Sequence, residues 1–167
     1  MDTTRSPTGT EGVISGDEND NPETQLLSLI GNVIHVANEA RKLDEEEAKG
    51  RRLVSADALR SGSRGERHLH KYLVTLQPTI WRILLMLVHL GRKEDVSSLP
   101  LSEVDEQFEQ FKDEWVFVEL LEAQPCLGDH LHCGSDRARR RGVLRRLAER
   151  IDESRTVSPA MDEARGA

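Results

Sequence analysis

The chain has 167 residues, of which 37% are hydrophobic, 32% charged and only 4% aromatic, and its formal net charge is −7. That length suits one domain with free ends; the acidic balance argues against binding phosphate backbones over the whole surface, and the scarcity of rings argues against base-stacking platforms. Two cysteines do not make a disulfide framework and no basic-then-apolar leader opens the sequence, so the expectation is a cytoplasmic protein.

In chain order, residues 1–21 are rich in Thr, Ser, Gly, Asp and Glu, too polar to offset the entropy of ordering, and read as a disordered tail. The short apolar pair Val13-Ile14 is the one feature there that a partner could hold. Asn21 as cap, Pro22 in the first turn and Glu23 at the positive end of the dipole predict a helix start. Leu26, Leu29, Ile30, Val33, Val36, Ala37, Ala40 and Leu43 then recur at three- and four-residue steps, one apolar stripe from Pro22 to Leu43 or slightly beyond. Residues 44–65, with an acidic run and weak periodicity, read as a long connection.

A second helix is expected from Gly65 or Glu66 to Leu76, ending at a sharp corner before Pro78. His68 and His70 flank Leu69 beside Arg64 and Arg67; two solvent-facing imidazoles are the simple reading, and a phosphate at the helix start is the functional one. Pro78 to Leu90 is apolar except for Arg82 and His89, the pattern of a helix covered on nearly every side, with Gly91 as a left-handed stop. At 1.5 Å per residue it spans roughly 20 Å, short of the roughly twenty apolar residues a bilayer needs.

Ser102 with Asp105 resembles a capping box, and Val104, Phe108, Phe111, Trp115 and Val118 then form one amphipathic face of a single helix. Pro125 to Cys133 should make two turns closed by Gly134. Residues 135–153 form an arginine-rich helix carrying Arg137, Arg139, Arg140, Arg141, Arg145, Arg146 and Arg150, with Leu144, Leu147, Ala148 and Ile151 as a narrow apolar stripe. Residues 154–167 read as a second tail. No alternation of period two occurs, so the fold class is all-α, a bundle of about five helices around Pro78–Leu90 within a 22–153 domain.

Three short motifs resemble a bacterial domain-of-unknown-function family of small helical proteins. They are Ala40-Arg41-Lys42-Leu43-Asp44, then Leu90-Gly91-Arg92 after an apolar helix, then Leu120-Leu121-Glu122-Ala123-Gln124-Pro125-Cys126-Leu127-Gly128-Asp129-His130-Leu131, a Leu-Leu-x-x-x-Pro-x-Leu-x-Asp-x-Leu pattern. The similarity covers roughly Leu26 to Gly134. The chain departs from the pattern in a longer Arg-rich connection and in Val116-Phe117-Val118, where polar residues would stand. The resemblance implies a helical fold and no activity.

Three constellations could carry chemistry. Cys126, His130, His132 and Cys133 are zinc-compatible ligand types, but on a helix the two cysteines stand roughly 10 Å apart, too far to share an ion or a disulfide. Arg82 and His89 match the Arg-x(4–6)-His spacing of HEPN-type helical ribonucleases, in which imidazole moves a proton and guanidinium holds a phosphate. Seven residues apart on one continuous helix, they too would be about 10 Å apart. The arginine segment is the strongest departure from average composition. Arg139, Arg140, Arg141, Arg145 and Arg146 are candidate charged contacts, with Leu144 and Leu147 as apolar anchors. The expected role is therefore non-catalytic binding of a protein partner or a second copy, with no cofactor and no small-molecule substrate. Nucleic-acid binding by the same arginines is the alternative, and an Arg82/His89 ribonuclease the second.

Overall fold

The computed structural model describes residues 21–50, 62–92 and 101–156. The Val13-Ile14 pair, most of both expected tails and the 51–61 stretch lie outside them. Among the described residues there are seven helices and no strand: α1 Pro22–Gly50, α2 Arg64–Leu73, α3 Pro78–Arg92, α4 Leu101–Glu109, α5 Trp115–Glu122, α6 Leu127–Arg140 and α7 Leu144–Thr156. The fold is all-α.

The first start signal behaves as its chemistry requires. Asn21 Oδ1 accepts the Glu23 backbone N–H at 3.1 Å, satisfying a donor the helix cannot. The helix then continues through the acidic run to Gly50, so residues 44–50 of the expected 44–65 connection are helical. α2 begins with a reciprocal capping box: Ser63 Oγ accepts from Glu66 N at 3.0 Å, and Glu66 Oε2 accepts from Ser63 N at 2.8 Å.

α3 is the axis of the bundle. From Ile80 to Leu90 every side chain is buried except Arg82 and His89, which are half-buried. Trp81 packs inward and donates its indole N–H to the Leu73 carbonyl at 2.8 Å, tying the α2–α3 corner to the core. α4, α5, α6 and α7 all touch α3, while α1 packs on α2, α6 and α7.

The α3–α6 crossing is set by glycines. A Cβ on Gly91 would lie 1.9 Å from the His130 carbonyl oxygen, and one on Gly134 would lie 1.9 Å from that of Leu87. The two helices thus touch backbone to backbone, antiparallel, and only a residue lacking a Cβ fits at either point. This corrects two expectations: Gly91 is a helical residue inside α3, and Gly134 lies in the middle of α6. Neither ends its helix, because close packing, not turning, is what demands glycine there.

Two continuous helices are instead broken. The amphipathic stretch after Ser102 stops at Glu109 and restarts at Trp115, with Asp113 Oδ1 accepting from Trp115 N at 3.0 Å. The 135–153 arginine helix is two helices, separated at Gly142 (φ +66°).

Candidate interaction surface

Gly142 builds the corner on which the arginines sit. Its N–H donates to the Arg139 carbonyl at 3.0 Å and Val143 N–H to that of Ala138 at 2.9 Å, the paired bonds of a Schellman stop. The left-handed φ at Gly142 suits glycine alone, and it turns the chain directly into α7. Arg139, Arg140, Arg141, Arg145 and Arg146 are all exposed around this turn.

The other two arginines work inside the molecule. Arg137 Nη1 donates to the Leu90 carbonyl at 2.6 Å, satisfying one of the orphan acceptors at the end of α3. Arg150 Nη1 reaches Asp105 Oδ2 at 2.7 Å. Within the corner itself, Arg145 pairs with Glu149 at 3.2 Å, both well exposed, and Arg140 Nε lies 3.4 Å from the Asp136 carbonyl.

The expected anchors require correction. Leu144 is 1% exposed and Leu147 3% exposed, both inside the main core with Ala148 and Ile151. Their stripe is satisfied by α1, α3 and α6, so they cannot meet a partner. The corner is a polar, cationic surface over a filled core.

Electrostatics along the two helices differ. Arg139 and Arg140 lie in the last turn of α6, where the negative end of the dipole favours cations. Arg145 and Arg146 stand in the first turn of α7, which holds no acidic residue, so like charge is placed at the positive end of that dipole. An anion brought to the start of α7 would be favoured by Arg145 and Arg146 and by the positive end of that dipole.

Arg82 and His89 do not converge within this chain. Arg82 lies in a cleft lined by Thr79, Asp105, Glu109 and Arg150, which His89 does not line. Its Nη2 is 3.2 Å from Asp105 Oδ1 and 4.0 Å from Glu109 Oε1. Asp105 therefore bridges Arg82 of α3 and Arg150 of α7 in a three-helix clamp, and Ser102, expected to cap the helix with it, lies inside α4. The carboxylate is 17% exposed, so the pairing is only partly screened. Replacing Asp105 with Asn should lower unfolding stability by about 1–2 kcal/mol, measured by denaturant titration, because two guanidiniums lose one shared counter-charge.

The Cys/His cluster is dispersed as well. Cys126 and Cys133 are exposed free thiols, and the His132 side chain points outward near Asp136 at 3.9 Å. Among the described residues no three His, Cys, Asp or Glu side chains are grouped to hold a metal ion. Comparison with protein-family models, with curated proteins and with solved structures returned no match.

One surface feature was assigned wrongly from the sequence. Phe111 is 41% exposed and Trp115 54% exposed, although both belong to the stripe expected to be buried. The break between α4 and α5 turns them outward; Trp115 stacks on Trp81 at 5.6 Å and Phe111 meets Phe117 edge-on at 5.9 Å. Exposed Glu109, Asp113 and Glu114 surround them in sequence.

Proposed function

We propose that this protein is a binding protein that holds an acidic protein partner, another protein or a second copy, against the α6–α7 arginine corner. The observation that carries the reading is the placement of five exposed arginines around one glycine turn, two of them in a first helical turn without an acid. Each such cation is disfavoured by the helix dipole by about 0.3–1 kcal/mol, a cost an incoming carboxylate would offset. Arginine's planar fork suits bidentate contact with carboxylates.

A protein is favoured over nucleic acid on two grounds. The net charge of −7 repels a long polyanion outside the immediate corner. The half-exposed Trp115 and Phe111 at the α4–α5 break are ring-bearing side chains of the kind that dominate protein interfaces, whereas Leu144 and Leu147 are buried. The carboxylates beside those rings also make this same chain a chemically suitable partner.

The test replaces Arg139, Arg140 and Arg141 with Gln together. The thermal unfolding temperature should fall only slightly, by the modest dipole contribution of cations at the end of α6, while self-association or capture of the co-purifying protein should weaken at least about tenfold. Sedimentation and affinity purification read the outcome. Salt-sensitive retention on an oligonucleotide, lost in the same variant with no protein captured, would replace this reading with the nucleic-acid one.

A further inference from the structure

A second cationic surface lies far along α1 from the arginine corner. α1 and α2 enclose an open groove of about 640 Å³ lined by Glu39, Lys42, Leu43, Arg64, Arg67, His68 and Lys71. Arg64, Arg67 and Lys71 follow one another at steps of three and four residues, so they share one face of α2, and Lys42 faces them from α1. The groove has one carboxylate, Glu39, which is already divided between His35 at 3.4 Å and His68 at 3.5 Å. Among the described residues Lys42, Arg64 and Lys71 form no ion pair. The lining thus sets four basic side chains against one carboxylate, while Asp44 and Glu47 of α1 are engaged at the start of α2.

The groove is also held open in one shape. Gly65 N–H donates to Asp44 Oδ1 at 2.7 Å and Arg64 N–H to Glu47 Oε2 at 2.9 Å, pinning the start of α2 to α1. A Cβ at Gly65 would meet the Ala40 carbonyl at 2.1 Å, so the helices meet backbone to backbone at this end. Arg67 Nη1 donates to the Gly62 carbonyl at 2.7 Å, which orients its guanidinium. The backbones that carry these cations are thus pinned to each other at the start of α2, and among the four side chains the Arg67 guanidinium is held by a hydrogen bond.

We propose that this groove binds a small ligand carrying adjacent phosphoryl groups. Its size falls in the range of small-molecule sites, about 300–1,000 Å³. The density of charge separates this ligand from an acidic peptide: carboxylates on alternate residues of an extended peptide stand about 6–7 Å apart, while linked phosphoryl groups gather several anionic oxygens within the span of one Arg–Lys pair. Nucleic acid fits less well, because no Phe, Tyr or Trp lines the groove to stack a base and the acidic surface beyond it repels a long strand. Leu43 and the aliphatic stems of the lysines and arginines leave room for an apolar body beside the phosphoryl groups.

Titration of the full chain with tripolyphosphate, followed by amide NMR and calorimetry, tests this. Shifts should concentrate at residues 39–43 and 64–71, and orthophosphate should bind more weakly than tripolyphosphate. The double substitution Lys42→Gln/Arg64→Gln should weaken binding by about a hundredfold, each lost charge-assisted hydrogen bond being worth about tenfold. The Arg139→Gln/Arg140→Gln/Arg141→Gln variant should bind tripolyphosphate as the parent does, so the two basic surfaces are judged separately. Absence of shifts in the groove at saturating tripolyphosphate would overturn the assignment. So would equal affinity for hexaglutamate, tighter binding of a single-stranded oligonucleotide, or loss of binding in the arginine-corner variant alone.

Discussion

Substituting alanine for Gly134 is expected to cost about 3 kcal/mol of unfolding stability, at the upper end for one added methyl group. The new Cβ would lie 1.9 Å from the Leu87 carbonyl oxygen and 2.7 Å from its carbon. Both are backbone atoms of the central helix, so no side-chain rotation relieves the clash, and α3 and α6 must move apart along their whole contact. A fall in melting temperature of roughly 10 °C should follow. Gly91→Ala should behave alike, since its Cβ would meet the His130 carbonyl at the same 1.9 Å. Gly31→Ala is the control: nothing lies within 4 Å of its Cβ, and it should be neutral or gain up to about 1 kcal/mol from helix propensity. Equal melting temperatures for Gly134→Ala and the parent would disprove the backbone-to-backbone crossing.

Leu144→Ala should cost about 3 kcal/mol, because the side chain is 1% exposed and its removal leaves a cavity among α1, α3 and α6. An exposed partner anchor would show almost no stability change on truncation, and a large loss of binding instead. Chemical denaturation therefore separates the two roles directly. Arg146→Gln, two positions further on and exposed, should leave stability within about 0.5 kcal/mol. A Leu144→Ala variant as stable as the parent would return that leucine to the surface.

These two results bear on how far the amino-acid pattern could be followed. The central helix was legible because an apolar run bounded by Pro78 and Gly91 has few alternatives to burial. The start of α1 was legible because Asn21 and Pro22 act locally. Ser63-Arg64-Gly65-Glu66 carried an equally local capping signal that passed unread; it would have placed the start of α2 and hence the row of cations along it. The glycines were misassigned because a sequence does not say whether a glycine turns a chain or admits a neighbour. Gly142 turns one, while Gly91 and Gly134 admit one.

The candidate surfaces divided in the same way. That the arginines cluster between Arg137 and Arg150 is plain in the chain, and so is the apolar stripe beside them. Which arginines are spent internally is not, since Arg137 is engaged by Leu90 and Arg150 by Asp105, each more than forty positions away. Likewise Lys42 and Arg64 meet across one groove only because Gly65 lets α2 approach α1.

By itself the sequence determined the helical class, the central rod and the sign of the charge in each stretch, because periodicity, caps and composition act over a few residues. Tertiary structure decided which apolar stripe faces inward, which glycines are contacts and which cations stay exposed. Those outcomes depend on what lies opposite each side chain, and that neighbour comes from a distant part of the chain.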